Sequence, residues 1–299
     1  MELHQLRYLV AIAKTGNFSR AAEECHVAQP SLSQQIRKLE DELGERLFDR
    51  MKREARLTPA GEALLPRAVR ILDEVETARR EAHESGQLVR GTLRIGALPT
   101  IAPYFLPDAI RMFSERYPGV EMVVEEDTTA RLLRMIAACE IDLAIASLPL
   151  GDDRLETRTL FSEELLLALP PDHRLAGKSR VALADVEAEK FILLKEGHCL
   201  GDQVVSFCQR RDVQPAVSLR SAQMETIQAL VRSGLGVSLI PRMAVRENDV
   251  AAPVYRRLDR PRPERAIVLA WLKSRPLSRA GSAWVELLAG ESRRRRANA

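Results

Sequence analysis

The sequence predicts an α/β protein that is preceded by a small, almost entirely helical N-terminal module. In the first sixty residues the apolar side chains recur at helix spacing, with only a short strand-like pair near the end. From about residue 91 onward, short apolar strands alternate with helix-like segments, which is the pattern of βα units. The chain has 299 residues, of which 45% are hydrophobic, enough for two domains with cores of their own.

The N-terminal module is predicted to be a helix-turn-helix. A first helix with apolar residues at helix spacing stops at Gly16, and Ser19 is expected to cap a short second helix. A third helix opens at Pro30 after a turn. Its apolar stripe comprises Leu32, Ile36, Leu39 and Leu43. Two short helices, a tight turn and a third helix with a polar face are typical of DNA-binding modules.

A wing is predicted after the third helix, because LFDRMKREARLTPAG holds two strand-like pieces around a basic tip. The net charge of +3 is too small to indicate nucleic-acid binding by itself. The signs are segregated, however, with acidic residues such as Glu40 expected away from the wing, and local segregation is what phosphate contact needs. We therefore expect double-stranded DNA as a partner. The candidate contacts are Gln29, Ser31, Ser33, Gln34, Arg37, Arg50, Arg53 and Arg56.

A long helix is predicted to follow the wing, capped by Thr58 and running to about Ser85. A lone exposed helix with an apolar stripe needs a partner, which predicts a dimerisation helix. The stripe comprises Leu64, Leu65, Ala68, Ile71, Leu72, Val75 and Ala78. The predicted domains are residues 1–60 for the winged helix-turn-helix, 61–90 for the linker helix and 91–299 for the α/β domain.

Composition excludes several other classes of protein. No run is apolar enough and long enough to span a membrane, and the N-terminus MELHQLRYLV lacks the pattern of a secretion signal, so a cytoplasmic location is expected. The four cysteines show no CxxC spacing, which argues against a zinc site. Neither a metal nor another cofactor is expected.

The segment EGHCLGDQVVSFC carries two cysteines, Cys199 and Cys208, nine positions apart. If the segment is one helix, nine steps turn the second thiol to the opposite face and raise it by ~13 Å. A disulfide needs Cα atoms at most ~7 Å apart. The pair is therefore either two unrelated buried thiols or a bridge that forms only if the segment refolds.

The N-terminal block LRYLVAIAKTGNFSRAAEECHVAQPSLSQQIRKLEDELGERLFDR, followed by LTPAGE, resembles the LysR-type transcriptional regulators. The resemblance covers nearly the whole chain. It implies that residues 91–299 form a two-lobed effector domain similar to periplasmic binding proteins. Residues 91–161 with 266–299 would form one lobe and residues 162–265 the other. It also implies a homodimer or homotetramer, RNA polymerase as a partner, and no enzymatic activity.

Within this family, the cysteine segment is similar to the redox segment of members that sense hydrogen peroxide. That similarity implies a thiol/disulfide switch that controls oxidative-stress genes, with Cys199 attacking peroxide and Cys208 resolving the product. A helix N-terminus and a nearby Arg265 are expected to lower the pKa of the Cys199 thiol. Thr100, Thr129, His198 and Asp202 would orient peroxide and a water. The chain departs from the pattern at Gly201, where a basic residue is more usual.

Two alternatives stay open. A LysR-type regulator could instead respond to a small-molecule effector bound between the lobes near Pro99–Tyr104, with the cysteines as bystanders. A thiol peroxidase that consumes peroxide is the alternative from another class, although the N-terminal DNA module argues against it.

Overall fold

The computed structural model describes residues 1–50, 55–83, 89–246, 249 and 251–297. The chain divides into two compact units, Met1–Leu88 and Val89–Ala299. The predicted class, a winged helix-turn-helix followed by a larger α/β domain, is confirmed.

The N-terminal unit has four helices and a two-stranded sheet in its described part. In chain order these are α1 (Leu3–Thr15), α2 (Phe18–Glu24), α3 (Gln29–Leu43), β1 (Phe48–Arg50), β2 (Ala55–Leu57) and α4 (Pro59–His83). The cap of α2 is Asn17, whose side-chain oxygen accepts hydrogen bonds from the amides of Ser19 at 2.8 Å and Arg20 at 3.2 Å. The prediction that Ser19 is the cap was wrong, because Asn17 already stands where a side-chain acceptor reaches those two amides.

The core of this unit lies between α1, α2 and α3. Leu32, Ile36 and Leu39 are fully buried, whereas Leu43 is 42% exposed, because the apolar stripe ends one turn before the helix does. Glu40 was expected away from the wing, but its side chain lies at the start of β1. Its buried carboxylate accepts hydrogen bonds from the backbone amides of Leu47 at 2.9 Å and Phe48 at 3.3 Å, and so ties the start of β1 to α3.

The predicted wing is an antiparallel pair, β1 with β2, in which Phe48 lies opposite Leu57 and Asp49 opposite Arg56. Residues 51–54 of its tip lie outside the described residues, and Arg53 is among them. The hydroxyl of Thr58 accepts a hydrogen bond from the Gly61 amide at 3.1 Å, as the capping prediction required.

The first half of α4 packs on the helix-turn-helix of its own chain. Ala68 is fully buried there, and Leu64, Leu65, Ile71 and Leu72 pack against the same core. The stripe that predicted a dimer partner is therefore partly covered within one subunit, and its leucines stay half-exposed. Val69, on another side of α4, is 37% exposed.

The second unit is an α/β domain. Its first half contains β3 (Gly91–Ala97), α5 (Ala102–Arg116), β4 (Val120–Glu126), α6 (Thr129–Ala137), β5 (Leu143–Ser147) and β6 (Leu155–Leu169). Its second half contains β7 (Arg180–Val181), β8 (Lys190–Leu194), α7 (Cys199–Gln209), β9 (Ala216–Ser221), α8 (Met224–Arg232), β10 (Ser238–Pro241), β11 (Val254–Leu258), β12 (Glu264–Leu272) and α9 (Arg279–Ala297). Short 3₁₀ turns follow β7 at Leu183–Val186 and β10 at Arg242–Ala244.

One sheet connects most of these strands, in the order β4-β3-β5-β12-β6-β11-β7, with β10 also paired to β6; β8 and β9 form a separate parallel pair. Two hydrophobic clusters lie along it. The first cluster contains Leu155 and Leu160 from the start of β6, and the second contains Leu165, Leu167 and Leu169 from its end. The strand thus passes from one core to the other.

Three features of this unit were not predicted from the sequence: the first half of β6, the two-residue β7, and β11. The last is VYRRL, a mixed strand whose side chains are mostly half-buried, so its sequence shows no continuous apolar run. No helix in the described part of the chain is long and apolar enough to cross a membrane. The lobe boundaries at 161/162 and 265/266 stay a prediction.

Candidate redox site

Helix α7 places the two cysteines of interest in different surroundings. Gly197, with φ +89°, turns the chain after β8, and α7 then begins at Cys199. Cys199 is half-buried and packs against the first hydrophobic cluster, whereas Cys208 is fully buried in the second cluster. Both thiols are free. The helix therefore lies between two cores and presents one thiol to each.

The geometry of α7 prevents a bridge between these thiols. Both cysteines lie in one continuous helix, Cys199–Gln209. At ~1.5 Å of rise per residue their Cα atoms are separated by ~13 Å along the axis. Disulfides join Cα atoms at most ~7 Å apart. A Cys199–Cys208 bridge therefore requires part of α7 to unwind.

A buried guanidinium organises the surroundings of Cys199. The Arg265 side chain, on β12, is 0% exposed and its Nε donates to Glu163 Oε2 at 2.7 Å. Its Nη1 donates to the Thr100 hydroxyl at 2.8 Å and its Nη2 to the Thr100 carbonyl oxygen at 3.0 Å. Groups from β6 and from the turn before α5 thus hold the guanidinium in a fixed orientation. A charged group that is buried away from water needs such hydrogen-bond partners.

Burial raises the pKa of the Cys199 thiol. The Thr129 hydroxyl and the charge of Arg265 lower that pKa, and Asp202 raises it, but burial has the largest effect. The pKa is raised and not lowered as predicted, because the desolvation of a thiolate outweighs the Thr129 hydroxyl and the Arg265 guanidinium together. Thr129 Oγ1 is buried without a hydrogen bond of normal geometry, although it is near enough to Cys199 to favour the thiolate.

The two remaining candidates differ in position. His198 is the residue before α7 and is buried, and its burial lowers the pKa of the imidazole, which is therefore mainly neutral at pH 7. Asp202 lies in the first turn of α7, is exposed, and acts on Cys199 through its charge. In the part of the chain that the structure describes, no cluster of potential metal ligands occurs.

Cys199 and Arg265 line a cleft of about 510 Å³ that also contacts Asp202, Gln203 and Arg210. This volume is within the range of small-molecule sites. The cleft is large enough for a peroxide-sized solute and also for a bigger organic molecule.

The sequence did not identify three residues of this site. Glu163 accepts from Arg265, and the side chain of Gln203 donates to Ser147 Oγ at 2.9 Å and to the Leu148 carbonyl at 2.8 Å, which ties α7 to the end of β5. The third residue is Met243, whose sulfur lies 3.8 Å from Nη2 of Arg265. Glu163 could have been found from the sequence, because it stands just before the apolar run of β6. A carboxylate that becomes buried there needs a positively charged or hydrogen-bonding partner.

The predicted DNA-binding residues of α3 lie away from its buried stripe. Ser33 is half-buried; the exposed residues are Gln29, Ser31, Gln34 and Arg37. Arg56 on β2 is exposed, the side chain of Arg50 is not described, and Arg53 lies outside the described residues. These residues stay candidates for DNA contact.

A winged helix-turn-helix followed by a two-core α/β unit with a ligand-sized cleft is typical of a DNA-binding transcription regulator with an effector domain. Residues 3–62 match the bacterial regulatory helix-turn-helix proteins of the lysR family, and residues 86–293 match the LysR substrate binding domain. The chain belongs to the LysR family of transcriptional regulators.

Several relatives are close in sequence and structure. The chain is 38% identical over 278 residues to the hydrogen peroxide-inducible genes activator of Pectobacterium carotovorum subsp. carotovorum, covering 93% of this chain and 92% of that protein. A full-length OxyR variant from Pseudomonas aeruginosa superposes with a TM-score of 0.77 at 34% identity, covering 98% and 95% of the two chains. A hydrogen peroxide-bound cysteine variant of OxyR from Corynebacterium glutamicum gives 0.64 at 32% identity, covering 97% and 95%.

The raised pKa of Cys199 predicts how its reactivity depends on pH. Because only the thiolate reacts and the thiol stays mostly protonated, alkylation of Cys199 should accelerate by about tenfold per pH unit between about pH 6 and 8. Thr129→Val should slow alkylation at every pH in this range, since it removes a group that favours the thiolate. Peptide mass spectrometry with a haloacetamide measures the rate. A plateau below pH 8 would show that the pKa is lowered after all.

Proposed function

We propose that this LysR-type regulator senses hydrogen peroxide through Cys199 and Cys208 and controls oxidative-stress genes in the cytoplasm. The observation that carries the proposal is the placement of Cys199. Its thiol lies at the start of α7, beside the fixed guanidinium of Arg265, and lines a cleft. The names of the relatives reported above, hydrogen peroxide-inducible genes activator and OxyR, agree with it.

The chemistry has two steps. The Cys199 thiolate attacks one oxygen of hydrogen peroxide, the O–O bond breaks, hydroxide leaves, and the sulfur becomes a sulfenic acid. The Cys208 thiol then attacks that sulfur, a disulfide forms, and the sulfenic oxygen leaves as water. Peroxide is the oxidant and each thiol contributes one of the two electrons. Arg265 and the Thr129 hydroxyl favour the thiolate in the first step, and Thr100 positions Arg265.

Cys208 needs a rearrangement before it can react. Its burial in the second cluster raises the pKa of its thiol to about 11, so it is protonated and unreactive while α7 is intact. Sulfenic acid formation followed by unwinding of α7 would expose Cys208 and bring the sulfurs together. The disulfide would then hold the unwound α7 segment in a second conformation that packs differently on the domain. In this way a local oxidation would change the conformation of the whole domain.

The proposed output is altered DNA binding or contact with RNA polymerase. A homodimer would place two copies of α3 on a dyad-symmetric operator, and pairs of dimers would give a homotetramer. We propose no enzymatic role, because stoichiometric oxidation of one thiol pair is sufficient for a sensor.

A small-molecule effector remains the second candidate function. The cleft of about 510 Å³ is larger than peroxide requires, and its wall combines apolar Leu148 and Phe207 with charged Arg210 and Glu264. An effector there would contact α7 directly.

The DNA-binding face is tested by the salt dependence of operator affinity. Arg56→Ala should reduce the log–log salt slope by about 1 for each subunit in contact, because one phosphate contact is lost. Gln34→Ala should instead relax sequence preference, by about 1–3 kcal/mol at one base pair. Arg111→Ala, an exposed arginine of the α/β unit, is the matched control. An unchanged slope in Arg56→Ala would reject the wing as a phosphate-binding element.

The redox switch is tested by counting thiols after one equivalent of peroxide. The wild-type chain has four thiols and should lose two of them. Cys199→Ser should lose none, and Cys208→Ser should accumulate a sulfenic acid that a dimedone-type reagent traps. Cys25→Ser and Cys139→Ala are the matched controls and should respond like the wild type. Loss of the response in either control, or its persistence in Cys199→Ser, would contradict the assignment.

A further inference from the structure

The C-terminal end of α7 is held by Arg211, a residue that the two chemical steps described above do not use. Its Nη1 donates a hydrogen bond to the carbonyl oxygen of Phe207 at 3.2 Å, and its guanidinium carbon lies 4.0 Å from the centroid of the Phe207 ring. The Cys208 carbonyl oxygen accepts hydrogen bonds from the amides of Arg211 at 2.9 Å and Val213 at 3.2 Å, which closes the last turn. Arg211 is therefore fixed in the turn that carries Cys208.

The guanidinium of Arg211 is partly shielded from water. Its Nε is buried and has no hydrogen-bond partner among the described residues. A cation with little water around it acts more strongly on its neighbours, because the local dielectric constant is low. Burial raises the pKa of the Cys208 thiol and has the larger effect, while the charge of Arg211 lowers that pKa. The other charged residues on β8, β9 and α8 do not contribute to this shift; they are Lys190, Arg220, Glu225 and Arg232.

The two ends of α7 differ in how firmly they are built. At the N-terminal end the side chain of His198 does not cap the first turn, and Gly201 lies within that turn. Glycine is the weakest helix former after proline. Gln203 ties this half of the helix to the end of β5 through its side chain, which does not require a helical backbone. Unwinding is therefore expected to start at the N-terminal end and to leave the turn around Cys208 and Arg211 in place.

We propose that Arg211 is a positioning residue for the disulfide-forming step, because its guanidinium stays beside Cys208 while the N-terminal part of α7 unwinds. The Cys208 thiolate supplies the electron pair of the new S–S bond, the S–O bond of the Cys199 sulfenic acid breaks, and the departing hydroxide takes a proton from solvent. Once water reaches Cys208, the effect of burial is lost and the charge of Arg211 remains. This inference rests on the proposed function, since it concerns the second step of the switch.

The expected size of the effect follows from two opposing changes in Cys208. A cation three residues away should lower the pKa of a hydrated thiol by about half a unit to one unit. Each unit raises the thiolate fraction about tenfold at neutral pH, while the thiolate becomes about threefold less nucleophilic. Arg211 should therefore accelerate the disulfide-forming step about two- to fourfold at neutral pH.

The first experiment measures the two chemical steps separately in the full chain. Trapping with a dimedone-type reagent in Cys208→Ser gives the rate of sulfenic acid formation, and Arg211→Gln should leave this rate unchanged. With all cysteines present, rapid quenching at high peroxide gives the rate at which the Cys199–Cys208 bridge forms. Arg211→Gln should slow this step about two- to fourfold at neutral pH. It should also move the pH of half-maximal rate upward by about half a unit to one unit.

Two further variants separate charge from packing. Arg211→Lys keeps the charge and loses the planar stacking on Phe207, so its pH profile should stay near that of the wild type. Arg116→Gln is the matched control, because the Arg116 guanidinium also lies over a ring at a helix end, 5.7 Å from the centroid of Tyr117. It should change neither rate. If Arg211→Lys behaves like Arg211→Gln, or if the rate changes by the same factor at every pH, Arg211 acts through packing and the proposal is overturned.

The second experiment measures the Cys208 thiolate without peroxide. In Cys199→Ser, the rate at which an uncharged haloacetamide alkylates Cys208 during openings of α7 is followed against pH by peptide mass spectrometry. Arg211→Gln should move this profile upward by about half a unit to one unit. High salt should move the profile of the chain that retains Arg211 in the same direction, because the screening length falls to about 3 Å at about 1 M. Identical profiles with and without Arg211 would overturn the proposal; if Arg211→Gln does not fold, a profile that salt leaves unchanged would do so.

The outcomes separate this proposal from the proposed function. A wild-type chain that forms no Cys199–Cys208 bridge would reject the peroxide switch and with it the step that Arg211 assists, while a shifted alkylation profile would still show its action on Cys208. A bridge that forms with the same pH dependence in Arg211→Gln as in the wild type would reject the role of Arg211 and leave the switch standing.

Discussion

The constraint on which the candidate mechanism depends is that α7 is one continuous helix lying between two hydrophobic cores. Cys199 packs against one core and Cys208 is buried in the other, so the two thiols cannot meet while the helix is intact. Gly201 adds to this packing, because a Cβ at its position would lie 2.9 Å from the carbonyl oxygen of Leu194 on β8. The absence of a side chain lets α7 approach β8 closely. The same residue lowers the cost of unwinding, since glycine is the weakest helix former after proline.

The buried side chain of Arg265 is the second constraint, because it connects separate parts of the domain. Through Glu163, Thr100 and Met243 the guanidinium joins β12 to β6, to the turn before α5 and to the turn after β10. Breaking a buried ion pair of this kind costs about 3–5 kcal/mol, so its geometry is firmly held. Burial keeps Cys199 mostly protonated at rest, while the fixed cation beside it favours the thiolate that reacts. The site therefore combines low background reactivity with a prepared environment for peroxide.

Much of this fold could be predicted from the sequence because its signals are local. Helix periodicity, the cap at Thr58 and the apolar runs of β5 and β8 need only neighbouring residues. The predictions that failed were those that depend on burial in the folded protein. The pKa of Cys199 rises because of desolvation, and Glu40 accepts hydrogen bonds inside the core. The site residues Glu163 and Met243 were missed because they are far from the cysteines along the chain and reach Arg265 only in the folded domain.

The central claim, that the thiols can bridge only if α7 unwinds, is tested by hydrogen exchange across Leu200–Gln209 before and after one equivalent of peroxide. Mass spectrometry of the same samples identifies the linked peptides. The account predicts that a Cys199–Cys208 linkage appears together with a loss of amide protection in this segment, and that neither change occurs in Cys199→Ser. A Cys199–Cys208 linkage with unchanged protection would contradict the account, because it would mean that α7 is not a continuous helix in the reduced protein.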